Sequence, residues 1–359
     1  MAFTASLVRF LAPFTFAFLA GPILAASLTW SGDGGANIWD TNSSANWNGG
    51  TAKFQTGDSV TFDDTTGNTA VTIDQFVVPG AVTISSTSNY VFVGTGGIQG
   101  TTTLTKSGTG TLRLITENSY AGATAVNGGT LLVIGTLNGS AVTVNSGGTL
   151  GGTGAITTGN QALTLNAGAH LAPGVNTGAL TINTGTAALN LSAAISGSQS
   201  GALAFQLADP ESSDQLVLSA GSLQIGSGEL SFADFSFELL EGFGQGTYSL
   251  FSTTQPLGGF LAADPGSLAG SLGGFTATLV VSGSGTGLSL VVIPEPSSAA
   301  FFLGAALLGG SGLFRRSRSF TAHRTAPAAK YQPLALTGQM HPTFGGKATH
   351  ARSGRPLFV

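Results

Sequence analysis

Gly110-Thr111-Leu112, Gly129-Thr130-Leu131 and Gly148-Thr149-Leu150 repeat one tripeptide at a constant interval, from position 110 to 129 to 148. Related forms follow at Gly168-Ala169-His170-Leu171 and Gly178-Ala179-Leu180. Between them the chain alternates. Val142 and Val144 fall on one side of their segment, as do Leu163 and Leu165, and Leu180 and Ile182. Period two is the mark of a half-buried strand, and a repeat of about 20 residues is one coil of a solenoid. A β-sandwich would alternate as well, so the constant register is what selects the solenoid. Strands this short cannot fold alone. Stacked coil on coil, they bury their inward Leu, Val and Ile and pair their backbones. Asn127-Gly128-Gly129 and Asn145-Ser146-Gly147-Gly148 fit the corners, where positive φ is needed. Thr suits the outward face of a strand. Residues 101–200 are thus expected to form β-helix coils with Leu112, Leu131 and Leu150 in one stack.

The flanks are less regular. Residues 27–100 read as a lead-in or cap and hold Trp30, Trp39 and Trp47 among Asp33, Asn37, Asp40 and Asn46. Two roles stand open for these indoles: covering the open end of the first coil, or stacking on sugar rings. Residues 201–293 contain Phe232, Phe235, Phe237 and Gly246-Thr247-Tyr248-Ser249-Leu250-Phe251. They suggest broader terminal coils or a small sandwich, with a domain boundary near 196–200.

Composition narrows the chemistry. From Ser27 to Ile293 there are fifteen acidic residues against Lys53, Lys106 and Arg113. Such a surface repels nucleic acid, whose binding needs phosphates neutralised. The chain has no cysteine, which excludes disulfides and thiol chemistry. His170 stands alone, because His323, His341 and His350 lie near the C-terminus. That excludes a histidine metal cluster and a Ser/His/Asp constellation in the coils. Paired carboxylates for sugar hydrolysis could come from Asp63, Asp64 and Asp74, or from Asp209, Glu211 and Asp214. Turn capping accounts for them equally well. Asp63-Asp64 could also hold a surface calcium ion. Lys106 reads as a coil-surface residue, and Arg113 as a partner of Glu117. No catalytic residue, metal or cofactor is expected.

The two ends speak of export. Residues 1–26 carry Arg9, an apolar core from Phe10 to Ala20, and small residues for cleavage after Ala25 or Ala26. These are the parts of a signal peptide. Near the other end, Pro294-Glu295-Pro296 precedes an apolar run at 297–314, and Arg315, Arg316 and Arg318 follow it. Eighteen residues of helix span about 27 Å at ~1.5 Å each, close to the ~30 Å hydrocarbon core. Arginines just beyond the run keep that end cytoplasmic. A buried helix of a soluble domain is the alternative. Residues 321–359 are basic, rich in proline and without acidic residues. They read as a disordered tail, drawn to anionic lipid or arising as an accidental extension.

The pattern at 294–320 resembles the PEP-CTERM sorting signal of Gram-negative bacteria, carried here by Pro294, Glu295, Pro296, Arg315 and Arg316. The resemblance implies recognition by an exosortase-type membrane processing enzyme that cuts near the tripeptide. Such signals normally end soon after the arginines, and the extension 321–359 departs from that. Residues 104–133, from Leu104-Thr105-Lys106 through Tyr120-Ala121-Gly122 to Asn127-Gly128-Gly129-Thr130-Leu131, resemble the autotransporter-associated β-strand repeat. That resemblance implies a right-handed parallel β-helix in a surface passenger domain. A true autotransporter ends in a membrane β-barrel, and a single apolar run stands in its place here.

The sequence therefore leads us to expect an all-β, right-handed parallel solenoid, with a signal peptide before it and one transmembrane helix after it. The expected role is structural or adhesive, at the cell envelope or surface of a Gram-negative bacterium, with extracellular polysaccharide as partner. A β-helix enzyme acting on polysaccharide is the rival.

Overall fold

The computed structural model describes residues 25–32, 35–195, 200–226, 228–257 and 260–295. The signal-peptide segment through residue 24, Pro296, the apolar run 297–314, Arg315, Arg316 and the tail 321–359 lie outside them. Among the described residues no helix is long and apolar enough to cross a membrane. Their only helical elements are the short 3-10 turns Phe232–Asp234 and Pro265–Leu268.

Three short strands make one coil. Each strand stacks in parallel on its counterpart in the next coil, so the solenoid has three faces. Face 1 includes Ala81–Ser85, Thr103–Ser107, Thr124–Val126, Val142–Val144 and Leu163–Leu165. Face 2 is an eight-stranded ladder that includes Thr111–Leu114, Gly129–Val133, Gly148–Gly152 and His170–Pro173. Face 3 includes Gly97–Gly100, Glu117–Tyr120, Thr136–Asn138 and Ala155–Thr157. The burial of Thr111–Leu114 alternates residue by residue, as a strand with one buried face requires.

The expected leucine stack is present. Leu112, Leu131, Leu150, Leu171, Leu203 and Phe235 are register partners in turn along face 2, and all are buried. The steps from Leu112 to Leu131 and from Leu131 to Leu150 are equal. The step to Leu171 is slightly longer, and those to Leu203 and Phe235 are longer still. The constant interval thus holds for two steps only. Pairing fixes the strands, whereas the corners face solvent and accept extra residues. Parallel coils also begin before residue 101, because Ser59–Phe62 already pairs in parallel with Ala81–Ser85.

Later coils merge two faces. Ala179–Asn190 is a twelve-residue strand. Its first part stacks on Ala155–Thr157 and its last residues stack on Leu163–Leu165. Gln215–Gln224 repeats its course. On face 2, Leu171 pairs with Leu203, so the ladder continues past the boundary expected near 196–200.

Polar side chains enclosed by the coils pair across them. Asn118 is buried on the inner side of face 3. It donates to the carbonyls of Thr116 and Thr136 at 3.0 and 3.1 Å and accepts from the Ile98 amide at 3.1 Å. Tyr120, Thr124 and Ser140 link hydroxyl to hydroxyl at 2.8 Å each, and Ser140 donates on to the Gly122 carbonyl. At another corner Asn166 donates to Asn145, and Asn145 to Asn127, both at 2.6 Å. Such ladders stitch consecutive coils where the strands stop, and the Asn118 and Tyr120–Thr124–Ser140 sets satisfy groups that would be costly to bury unpaired.

Both ends of the stack are covered. At the start, Trp30, Trp39, Trp47, Phe54, Phe62 and Phe92 form one aromatic cluster with ring centroids 4.9–6.1 Å apart. At the finish, Gly246–Thr253 stacks in parallel on Gln215–Gln224 and pairs antiparallel with Gly287–Pro294. Phe275–Val281 and Ala269–Leu272 extend that antiparallel sheet. Broader coils and an antiparallel closure thus both occur in 201–293.

Candidate functional site

The three tryptophans face inward. Trp30 and Trp39 are 0% exposed and Trp47 is 1% exposed. The Trp30 indole donates to the Asn68 carbonyl at 2.7 Å, and Trp30 and Trp47 meet edge to face at 5.0 Å. No ring face is left for a sugar, so the glycan-stacking expectation is corrected. These side chains close the first coil, because an end layer lacks a further coil to cover it.

Lys106 is corrected as well. It is fully buried, not on the coil surface. It occupies the inward column between Ile84 and Val126 on face 1. Its Nζ bends to the corner and donates to the carbonyls of Ser107, Gly108 and Gly128 at 2.8, 3.0 and 3.2 Å. Burial lowers its pKa below the usual lysine value. Gly129 has φ +62°, and a Cβ there would stand 2.8 Å from Nζ. Glycine and lysine therefore define this corner together.

The acidic candidates separate. Asp63 caps its own turn through the Thr65 amide and hydroxyl. Asp64 accepts from the hydroxyls of Ser86 and Thr87 and the amides of Thr87 and Ser88 on the next coil. Those bonds, the Ser86 hydroxyl first, hold its pKa well below the ordinary carboxylate range. Asp74 and Glu211 are exposed. Asp209 accepts from the Ser212 hydroxyl and from the amides of Glu211 and Ser212, which lower its pKa. The side chains of Asp63, Asp64 and Asp209 pin turns. His170 bonds through Nδ1 with the Gly201 carbonyl at 3.0 Å, also a structural role.

Asp214 is different. It is 1% exposed and lines a cleft of about 440 Å³ on the outer side of face 2. The floor is shallow because its residues are small: Ala172 from one rung, and the register partners Ala204 and Ser236 from the next two. Leu132 stands at one end, and the 174–176 loop forms a wall. Gln206 and Glu238, also register partners, join their side chains at 2.8 Å along the rim. The Gln206 amide donates to Asp214 Oδ2 at 2.7 Å, and Asp214 returns its own amide to the Gln206 carbonyl at 2.9 Å. Asp214 Oδ1 meets no donor at bonding geometry. Gly174, at φ +87°, lies so close that a Cβ there would fall 1.8 Å from Oδ1. Burial raises the Asp214 pKa to about 6, and the Glu238 charge adds to it; the amides of Gln206 and Gly178 pull the other way.

Neither Gln206 nor Glu238 stood out in sequence. A signal existed: Leu203-Ala204-Phe205-Gln206-Leu207 and Phe235-Ser236-Phe237-Glu238-Leu239 share one period-two pattern. Of the sorting motif, Pro294 is the last residue of the strand Gly287–Pro294, opposite Phe275. Glu295 accepts from the Ser271 hydroxyl at 3.0 Å.

The architecture is that of a three-sided parallel β-solenoid protein. A family model described as the passenger-associated-transport-repeat matches residues 104–133. The matched segment runs from the buried Lys106 strand through the Gly129–Val133 rung. No curated protein matches the chain.

Proposed function

We propose that the chain is an exported surface protein whose solenoid serves as a structural and adhesive element of the cell envelope or extracellular matrix. The observation that carries this reading is the passenger-type repeat at 104–133, built in register into a stack of coils. Such a rod offers many repeated, weakly binding positions, and retention of a long polymer grows with their number. The Thr111, Thr130 and Thr149 rungs illustrate the outward face, hydroxylated and nearly uncharged.

Export would use the segment 1–26, with 297–314 as temporary anchor and an exosortase-type enzyme acting at Pro294-Glu295-Pro296. The last strand among the described residues ends at Pro294. A cut just beyond it would release the folded part without breaking a strand. Intact-mass measurement of the surface-extracted protein tests this. A C-terminus within a few residues of Pro296 is expected, and retention of 321–359 in the mature protein would contradict it.

A second reading, an enzyme acting on polysaccharide, is favoured by one observation. Asp214, its pKa raised to about 6 mainly by burial, shares a cleft with Glu238, and a carboxyl of raised pKa beside a second carboxylate is the pairing glycosidases use. Reducing-end release from polysaccharide by the wild-type chain, abolished in both Asp214→Asn and Glu238→Gln, would establish it. No release would leave the adhesive role.

A further inference from the structure

We infer that the face 2 cleft is a binding subsite for an uncharged saccharide chain, lying along the rungs that contribute Ala172, Ala204 and Ser236; this rests on the polymer-binding reading above. Two features specify the ligand. The floor carries small side chains, so a flat sugar ring can approach the sheet closely. The rim supplies acceptors: Glu238 and the Gln206 amide oxygen. Sugar hydroxyls are the donors that such a rim lacks. Among the described residues, no Lys, Arg or His lines the cleft. A uronate or sulfated chain would meet the carboxylates with like charge and no counter-cation.

The test titrates the full-length protein with cellohexaose, xylohexaose, maltohexaose and chitohexaose, and with polygalacturonate and oligolysine. At least one neutral hexasaccharide should bind. Ala204→Trp, which fills the floor from its outward side, should weaken that binding tenfold or more, and Glu238→Gln several-fold. The proposal falls if no hexasaccharide binds, if both variants bind like wild type, or if polygalacturonate or oligolysine binds more tightly. Retention of matrix polymer by cells displaying the wild-type chain separates the two levels. Retention that survives Ala204→Trp overturns the cleft and leaves the surface role. Absence of retention in wild type overturns the surface role itself.

A different observation carries a second inference: we propose that export leaves Ala26 as the first residue. The Ala26 nitrogen donates to Asp58 Oδ1 at 2.7 Å, and the Ala26 carbonyl accepts from the Ser59 amide at 2.8 Å. Asp58 is 2% exposed, and its other oxygen is held by the Gln55 amide. Hydrolysis of the Ala25–Ala26 bond adds water, leaving a carboxylate on Ala25 and an α-ammonium on Ala26. That ammonium would sit on a buried carboxylate, where a charge-assisted bond is stronger than the amide contact it replaces. Cutting after Ala26 would discard the contact. N-terminal sequencing of the exported chain should begin at Ala26, and any other start overturns the proposal. Asp58→Asn should lower the Tm of the processed chain by several degrees more than that of precursor accumulated with a signal-peptidase inhibitor. Equal shifts would also overturn it.

Discussion

Lys106 shows how one side chain can serve a fold against its usual habit. Lysine is seldom fully buried unless paired. Here three corner carbonyls from two coils receive its ammonium. Lys106→Met keeps the length but orphans those acceptors, so unfolding free energy should drop by about 2–3 kcal/mol, measured by denaturant titration. Asp214 makes a second residue-scale prediction. Its pKa is about 6 in the fold against 3.8 for a free side chain. Between those values the folded state holds the proton more tightly, so stability falls as pH rises through that window. Thermal melts from pH 3.5 to 7 should show this decline, and Asp214→Asn should flatten it. Neither role was legible in the linear chain. Lysine within a repeat reads as surface, and Asp214 gains its character from rungs distant in sequence that only folding brings beside it.

At the scale of the strand, inward and outward positions carry unequal weight. Leu131 touches its partners Leu112 and Leu150 in the buried stack, whereas Thr130 beside it points outward. Leu131→Ala should cost about 2–5 kcal/mol, because a stacked coil cannot collapse freely around the cavity. Thr130→Ala should change stability by less than about 0.5 kcal/mol. The same denaturant titrations compare them. The Gly-Thr-Leu register was legible because two successive coil-to-coil steps share one length. The coils after Leu171 were hidden because their corners lengthen while their strands keep alternation, and a period search sees length first. The tryptophans were legible as a cap and misleading as a sugar platform. Sequence shows an aromatic cluster but not which way its rings turn.

At the scale of the molecule, stability rests on covered ends as much as on the stack. A solenoid with a bare first coil exposes both its core and its strand edges, which invites association. Trp39 lies within the covering layer, in contact with Trp47, Phe54, Phe62 and Phe92. Trp39→Ala should cost about 3–5 kcal/mol and raise light scattering on heating. The closing sheet at 246–294 was the least legible part. Its strands alternate like those of the coils, and nothing local marks the switch from parallel to antiparallel pairing. The chain contains no cysteine, so the stacking can be measured on a clean background. Spin labels on cysteines introduced at positions 111, 130 and 149 would report strand neighbours. Adjacent strands lie about 4.8 Å apart, so the 111/130 and 130/149 pairs should both show strong dipolar broadening in frozen solution. Broadening in only one of these pairs, or in neither, would contradict the parallel coil-on-coil register from which the surface role was argued.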